Sequence, residues 1–486
     1  MNVVQRISKN ASMLLISQCV NLVLGLVYVV YIARSLGAQQ YGTLTFALAL
    51  TGILVIVADL GVGTLLVREI ARRKTAANAC FSNALALKLL LGILTFGLIT
   101  LTIRAVAPAP DVGYVILLVA LYAIFTSFSQ VFYSLFQAYE RMEYQSLATV
   151  AYSVFMFCGV VIGIVRGTNV IGFALLYALA SLIVLSFNVG IAARFFSLRI
   201  EGLNVRRVRR LLIAALPFGV FNLFMLFNYR VDSVLLALWS GQTAVGLYNA
   251  AYGLITALYI FPTALVGALF PLLSRTSTES RFTLRMAYGL AVKLLLIVAV
   301  PLSVGTIVLA DGIIAFLYGP GYANASTALR ILIISLIPTF IYYVLGTVIL
   351  VLNKERHALV FWGACALVNV GLNAVLIPQY GYIGASVVTV VSEFVLFGLF
   401  FFFVSAHVGR IALRPIVQKP FVASIIMGAA LYVLRDTFLP LTVLIGIAIY
   451  VALLVFMRTL SPDEIDLVRQ VVGRRTDAHR RDDDAT

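Results

Sequence analysis

A few charged side chains interrupt the long apolar runs of this sequence, and their types and spacing could do chemistry. Burying a charge in apolar surroundings is costly unless the group is neutralised or paired, so each of them needs a reason. Glu393 shares one helical face with Ser386 and Thr389, and we expect that face to point into a helix bundle. Glu393 then serves as a proton or cation site, as a counter-charge in a cavity, or as a neutral or paired residue that holds helices together.

Arg230 and Asp232 lie two residues apart near one end of another run. Because two residues turn a helix by about 200°, both side chains cannot face one cavity without a kink. We expect one to face a polar pathway and the other to contact a neighbouring helix. The guanidinium of Arg230 can hold a phosphate group bidentately, and the alternative is an ion pair with another helix. Asp232 is, with Glu393, a candidate for binding a coupling ion.

Lys293 lies about six residues into its apolar run from the cytoplasmic side, and Lys88 lies about nine residues into another run. Their long stems allow the ammonium groups to snorkel to the water at the membrane surface; alternatively, these groups attract a phosphate of the substrate. Asp59 lies at a depth where it could pair with Lys88. We therefore predict a Lys88–Asp59 pair and treat Lys88 and Lys293 as candidate substrate-binding residues.

Uncharged polar residues recur at helical spacing on several apolar runs. Hydrogen bonds between helices explain any one such stripe, but stripes on many helices together predict a hydrated central cavity. Asn249 is the member that we assign to substrate binding. The stripes are Ser17, Asn21 and Tyr28; Ser127, Gln130, Ser134 and Gln137; Asn249, Tyr252, Thr256 and Tyr259; and Asn369 and Asn373.

The sequence contains none of the patterns that mark common catalytic or nucleotide sites, such as the Walker A loop, HExxH or GxSxG. Its four cysteines are isolated and lack CxxC spacing, so neither a disulfide nor a zinc site is predicted. We therefore predict a protein that is not an enzyme, with no catalytic residue, no metal site and no cofactor.

These residues must be positioned by membrane-spanning helices. Hydrophobic residues make up 62% of the 486 residues and charged residues 11%, which leaves too little polar surface for a water-soluble protein. A helix needs roughly 20 apolar residues to cross the hydrocarbon core, and this length divides the chain into about fourteen spans. The predicted spans are 11–33, 42–66, 79–103, 113–137, 146–166, 170–193, 211–238, 245–270, 287–309, 326–350, 358–377, 383–404, 419–435 and 440–457.

Lysine and arginine collect in every second connection between the predicted spans. Of the 35, 27 lie on the side of the N-terminus, five on the other side and three inside spans. Cytoplasmic loops retain these residues, so the asymmetry places both termini in the cytoplasm. It also accounts for the net charge of +16, so nucleic acid is not an expected partner.

The most polar internal segment, residues 194–210, divides the chain after six spans. Residues 35–47 before the second span resemble residues 239–251 before the eighth, which indicates a parallel repeat. Such repeats build alternating-access transporters with the site between the halves. The predicted domains are an N-terminal six-helix lobe (1–205), a C-terminal six-helix lobe (206–408), two appended spans (409–460) and a cytoplasmic tail (461–486) whose short helix is capped by Ser461.

Several blocks of the sequence resemble, in their order and spacing, Wzx-type polysaccharide flippases of the multidrug, oligosaccharidyl-lipid and polysaccharide exporter superfamily. The resemblance spans roughly residues 5–460. The blocks are ARSLGAQQYG at 33–42, ADLGVG at 58–63, VREIAR at 67–72, YRVDSVLL at 229–236, VGLYNAA at 245–251, LNKER at 352–356, LNAVLIPQYGYIGAS at 372–386 and SE at 392–393.

The resemblance implies an all-α polytopic protein with two parallel six-helix lobes and two C-terminal helices. It implies outward transfer of an undecaprenyl-diphosphate-linked oligosaccharide across a bacterial inner membrane, for O-antigen, capsule or exopolysaccharide synthesis. The implied partners are this polyprenyl-diphosphate-linked oligosaccharide, membrane lipids, and polymerase and chain-length proteins of the same pathway. One departure argues against a peptidoglycan precursor: the first span lacks the mid-depth basic residues that the related lipid II flippases use.

Two alternatives are open at this point. A drug or cation antiporter of the same superfamily would have twelve spans and an acidic cavity, which fourteen spans and Arg230 disfavour. A membrane-embedded glycan polymerase or ligase would need a catalytic loop on the outer side, whereas the predicted outer connections are short.

Overall fold

The computed structural model describes residues 3–74, 77–106, 108–196, 204–459 and residue 464. In this described part all regular structure is helical. The α-helices are α1 (Val3–Leu54), α2 (Ile56–Asp59), α3 (Val62–Arg72), α4 (Ala77–Val106), α5 (Pro110–Ala138), α6 (Met142–Val165), α7 (Val170–Phe195), α8 (Val205–Trp239), α9 (Gly241–Ala257), α10 (Ile260–Glu279), α11 (Arg281–Tyr318), α12 (Ala325–Leu332), α13 (Leu336–Val351), α14 (Glu355–His407), α15 (Leu413–Val433) and α16 (Leu439–Phe456).

Eleven stretches of these helices are long and apolar enough to cross a membrane. Two of them contain a glycine with a non-helical backbone, Gly37 in α1 and Gly381 in α14, and each divides at that glycine into two predicted spans. With α8, which carries the predicted span 211–238, the described helices provide fourteen crossing segments. The prediction of a polytopic all-α protein with about fourteen spans is confirmed.

The predicted span 42–66 lies within a stretch that is apolar enough to cross a membrane, but its helix is interrupted. α1 ends at Leu54, α2 covers one turn, and α3 begins at Val62. Leu60 and Gly61 between α2 and α3 both adopt left-handed backbone conformations, with φ of 39° and 74°. Such a conformation costs about 1 kcal/mol for leucine and very little for glycine. The break turns the chain beside Asp59, the residue predicted to pair with Lys88.

The chain divides into two compact units. Unit 1 consists of Met1–Ala250 and Asn369–Ala385, and unit 2 consists of Ala251–Val368 and Ser386–Thr486. The core of unit 1 includes Leu66, Phe132 and Phe136. A core cluster of unit 2 contains Met427, Leu431 and Tyr450. The predicted domain boundaries after residues 205, 408 and 460 stay predictions, and the helix predicted after Ser461 lies outside the described residues except for Glu464.

Two glycines of unit 1 permit a very close approach of backbones between α1 and α9. A Cβ atom on Gly42 would lie 1.7 Å from the carbonyl oxygen of Gln242, and a Cβ atom on Gly246 would lie 1.9 Å from that of Ala38. Real Cβ atoms do not come this close to a backbone atom, so neither position accepts a side chain without a shift of the helices. We refer to this arrangement as the reciprocal glycine contact.

The reciprocal glycine contact joins equivalent positions of the two similar sequence segments. Gly42 follows Gly37 by five residues, and Gly246 follows Gly241 by five residues. Gly37 and Gly241 both have positive φ, 73° and 81°, a conformation that favours glycine. The two segments therefore share a positive φ at this glycine as well as the close approach that follows it.

Candidate functional site

A buried ion pair lies beside the break between α2 and α3. The Lys88 side chain on α4 is 1% exposed, and its ammonium contacts the Asp59 carboxylate and donates a hydrogen bond of 2.8 Å to Ser127 Oγ on α5. Asp59 itself remains 33% exposed. The predicted Lys88–Asp59 pair is confirmed. The alternative that Lys88 snorkels to water is wrong, because its ammonium is held inside unit 1.

The exposed side of Asp59 faces a polar groove. This cavity of about 380 Å³ lies between α3 and α5 and we call it the α3–α5 groove. Its polar lining residues are Asp59, Thr64, Arg68, Gln130, Ser134 and Gln137. Three of the predicted stripe residues on α5 therefore form one wall. Hydrocarbon cannot satisfy such groups, so in a membrane-spanning bundle this groove suits water or a polar ligand.

Arg230 and Asp232 on α8 point in different directions. The Asp232 side chain is 2% exposed and accepts hydrogen bonds of 2.8 Å from Tyr248 Oη and 2.7 Å from Asn373 Nδ2. Arg230, by contrast, is exposed. The expectation that one of the two contacts neighbouring helices is confirmed for Asp232, which binds residues of α9 and α14.

Asn249 lies on α9, the helix that hydrogen-bonds to α8 and to its residue Asp232. Its amide donates hydrogen bonds of 3.0 Å to Ser233 Oγ and 2.9 Å to the carbonyl oxygen of Val245, and the residue is 9% exposed. The structure thus places Asn249 in the packing of α8 against α9. Asn373 also donates a hydrogen bond of 2.9 Å to Asn369 Oδ1, so the two residues of the predicted polar stripe on α14 bind each other.

Glu393 is buried in unit 2, with 8% of its side chain exposed. Its Oε2 accepts a hydrogen bond of 3.0 Å from Thr339 Oγ1 on α13. Ser386 and Thr389, which share its face, are also buried, so the expectation that this face points into the bundle is confirmed. This contact joins α14 to α13, and a carboxyl group held in this way suits either a structural or a proton-binding role.

Lys293 lies in unit 2, whereas Lys88 lies in unit 1. The Lys293 side chain is 16% exposed, and its Nζ binds both carboxylate oxygens of Glu464 at 2.8 and 2.6 Å. Both candidate lysines are therefore paired with carboxylates. Arg230 differs from them, because its side chain is exposed.

Three tyrosines of unit 1 form a ring cluster that sequence spacing does not reveal. The ring centroids of Tyr122 and Tyr177 lie 5.3 Å apart, and those of Tyr122 and Tyr152 lie 6.5 Å apart. The three residues lie on α5, α7 and α6, so no periodicity within one helix links them. The signal that could have found them is the frequency of tyrosine in otherwise apolar spans, since its hydroxyl needs a polar neighbour.

Comparisons with known proteins agree with this architecture. A family model described as "Polysaccharide biosynthesis protein" matches residues 7–277. The chain is 23% identical over 369 residues to the probable low-salt glycan biosynthesis flippase Agl15 of Haloferax volcanii, covering 75% of this chain and 76% of that protein. It is 26% identical over 223 residues to the teichuronic acid biosynthesis protein TuaB of Bacillus subtilis, covering 43% of this chain and 45% of that protein.

Solved structures share the fold. Lipid II flippase MurJ in an inward closed conformation matches with a TM-score of 0.77 and 16% identity, covering 93% of this chain and 99% of that chain. A multidrug resistance MATE family transporter of the MOP superfamily, in an inward-facing conformation, matches with a TM-score of 0.65 and 17% identity. The match covers 80% of this chain and 94% of that chain. At these identities the likeness concerns the fold.

Proposed function

Because the chain belongs to the family of polysaccharide biosynthesis proteins, we propose that it is a flippase for lipid-linked glycans. It carries an oligosaccharide linked to a polyprenyl diphosphate from the cytoplasmic to the outer leaflet of a bacterial inner membrane. The relatives named for glycan and teichuronic acid biosynthesis support this substrate class. The termini lie on the cytoplasmic side, as the distribution of lysine and arginine indicates.

The α3–α5 groove is the observation that carries this proposal. A flippase must replace the water around sugar and diphosphate while they cross, because hydrocarbon does not hydrogen-bond to them. The groove offers hydroxyl, amide, carboxylate and guanidinium groups on membrane-spanning helices. The polyprenyl tail stays in the lipid, and movement of the predicted lobes exposes the head group to each side in turn.

Arg230 is the phosphate partner in this proposal. Its guanidinium is exposed on α8 and can hold two phosphate oxygens at once, whereas carboxylates occupy Lys88 and Lys293. Because both lysines are paired with carboxylates, they influence the phosphate through their charge and do not bind it directly. Asn249 acts in the same indirect way, by fixing α9 against α8.

The test is transfer of a labelled polyprenyl-diphosphate sugar in liposomes that contain the purified protein. We expect Arg230→Ala to lower the transfer rate about tenfold, because a charge-assisted hydrogen bond contributes about 1.5 kcal/mol or more. Arg230→Lys should retain part of the rate, and Arg435→Ala, at an exposed arginine between α15 and α16, should retain all of it. Wild-type transfer no faster than in empty liposomes would refute the function; full activity of Arg230→Ala would remove only Arg230.

Coupling to an ion is a separate part of the proposal. The membrane potential, positive outside, already favours outward movement of an anion by about 2.3 kcal/mol per charge per 100 mV. Asp232 and Glu393 are the coupling candidates, since both are buried carboxyl groups on membrane-spanning helices. If either couples, Asp232→Asn or Glu393→Gln should abolish the response of transfer to an imposed cation gradient while transfer without a gradient persists.

Drug or cation export is the second candidate, favoured by the fold shared with a multidrug transporter. Arg68 in the groove and the exposed Arg230 disfavour a cationic substrate, because like charges repel it. Ethidium efflux from liposomes distinguishes the two functions. Efflux driven by a cation gradient, without transfer of the polyprenyl-diphosphate sugar, would replace the proposed function by this one.

A further inference from the structure

Unit 2 contains a second cavity with a different character. It has a volume of about 570 Å³ and lies between α10, α11 and α15, and we call it the α11–α15 cavity. Its walls are mostly apolar and include Leu272, Phe282, Met286, Leu290, Ile411 and Ile416. Phe282 and Met286 are among the most exposed large apolar side chains of α11. A cavity with such walls accepts hydrocarbon.

Two cations lie in these apolar walls. Arg285 and Lys293 both line the cavity and lie eight residues, about two helical turns, apart on α11. Both lie toward the end of α11 that carries Arg281, on the predicted cytoplasmic side. Apolar walls with a cationic rim match an amphiphile that has an anionic head group and hydrocarbon chains. Basic pockets between transmembrane helices on the cytoplasmic side bind the head groups of anionic lipids.

One of these cations, Lys293, is already paired with an anionic side chain of the protein itself. The carboxylate of Glu464 also lines the cavity and binds Lys293 Nζ through both oxygens, at 2.8 and 2.6 Å. The Glu464 side chain is 25% exposed, so the pair is open to exchange with a competing anion. A lipid phosphate presents two oxygens in a similar arrangement. The position of Glu464 therefore shows that Lys293 accepts a two-oxygen anion at this point of the cavity.

We propose that the α11–α15 cavity is a binding site for an anionic phospholipid of the cytoplasmic leaflet. The phosphate binds Lys293, Arg285 adds positive charge to the same cavity, and the first part of the acyl chains lies against Phe282, Met286 and Ile416. Glu464 competes with the phosphate for Lys293 and so regulates occupancy of the site. The lining residues of this site belong to unit 2, whereas those of the α3–α5 groove belong to unit 1, and the proposal does not require that the transported substrate be a glycan.

Native mass spectrometry of the purified full-length protein tests the proposal. The protein is equilibrated with mixed micelles containing phosphatidylglycerol and phosphatidylcholine, and retained lipids are counted. We expect one phosphatidylglycerol to be retained in preference to phosphatidylcholine, and Lys293→Gln to lower its retention about fivefold, as for a partly exposed ion pair. Glu464→Gln should raise the retention, a gain that misfolding does not produce. Lys419→Gln is the matched control, since Lys419 on α15 binds the carbonyl oxygen of Arg458 instead.

Three results would overturn the proposal. The first is equal retention of phosphatidylglycerol and phosphatidylcholine by the wild-type protein. The second is phosphatidylglycerol retention that Lys293→Gln and Glu464→Gln leave at the level of Lys419→Gln. The third is displacement of the retained lipid by an equimolar polyprenyl diphosphate in a manner that depends on Lys293, because the cavity would then be a substrate site. None of these outcomes depends on flipping activity, so the proposed function is tested separately.

Discussion

The Lys88–Asp59 pair is asymmetric at the scale of the single residue. The Lys88 side chain is 1% exposed, whereas the Asp59 side chain is 33% exposed and faces the α3–α5 groove. An uncompensated buried charge is costly, but an exposed one is solvated. The two partners therefore depend on the pair to different degrees, although they make the same contact.

Asp59→Asn should consequently destabilise the protein more than Lys88→Met. We expect a loss of about 3 kcal/mol in the first case, since it leaves the Lys88 ammonium buried beside neutral groups. In the second case we expect about 1 kcal/mol, because Asp59 stays in contact with the polar groove. Thermal unfolding of the purified variants in detergent measures both. The double variant Asp59→Asn with Lys88→Met should recover most of the loss, and equal losses in the two single variants would contradict this explanation.

Sequence periodicity predicted the direction of a side chain where that direction depends on the geometry of a single helix. The buried face of Glu393, Ser386 and Thr389 follows from helical spacing, and so does the divergence of Arg230 and Asp232. The Lys88–Asp59 pair was predicted from matching depth alone. Periodicity could not find the tyrosine ring cluster, because its members come from three helices whose packing the sequence pattern does not encode.

At the scale of helical elements, the reciprocal glycine contact sets how closely α1 and α9 approach. An added methyl group at Gly42 or Gly246 would meet backbone atoms, which cannot move aside as a side chain can. Close helix contacts of this kind depend on small residues in membrane proteins. The contact therefore predicts that alanine destabilises the protein at these two glycines but not at Gly52 or Gly253 of the same helices.

Gly42→Ala and Gly246→Ala should each destabilise the protein by roughly 2 kcal/mol, in the range of overpacking at a tight interface. The matched controls are Gly52→Ala on α1 and Gly253→Ala on α9, where no atom lies within 4 Å of the added Cβ. These controls should be neutral or slightly stabilising, because alanine is the better helix former. Thermal unfolding in detergent measures the four variants, and a control that loses as much as Gly42→Ala would refute the steric explanation.

The interruption between α2 and α3 is a feature that sequence patterns do not predict. Hydropathy gives the length of a span but not the local backbone, and so 42–66 reads as one helix although the chain turns at Leu60 and Gly61. Leu60 carries no signal for a left-handed conformation, since leucine is a good helix former. Gly61 is a weak signal, because isolated glycines are common in transmembrane helices.

At the scale of the whole molecule, the distribution of lysine and arginine predicts the orientation of every connection. The two ends of α6 offer a direct comparison, since Glu140 precedes this helix and Thr168 follows it. In a variant without the four native cysteines, Thr168→Cys should react with a membrane-impermeant maleimide in intact cells. Glu140→Cys should react only after the membrane is permeabilised. Labelling of Glu140→Cys in intact cells, with protection of Thr168→Cys, would reverse the orientation.

The reciprocal glycine contact also bears on how such a chain could arise. Each of the two similar segments contributes both a glycine and the carbonyl oxygen that the other glycine accommodates. A surface that fits its own copy in this way is the isologous interface of a two-fold symmetric dimer. Duplication and fusion of one ancestral half would therefore join two parts that already fit each other, and each copy would have to keep its glycine because the backbone of the other copy lies against it.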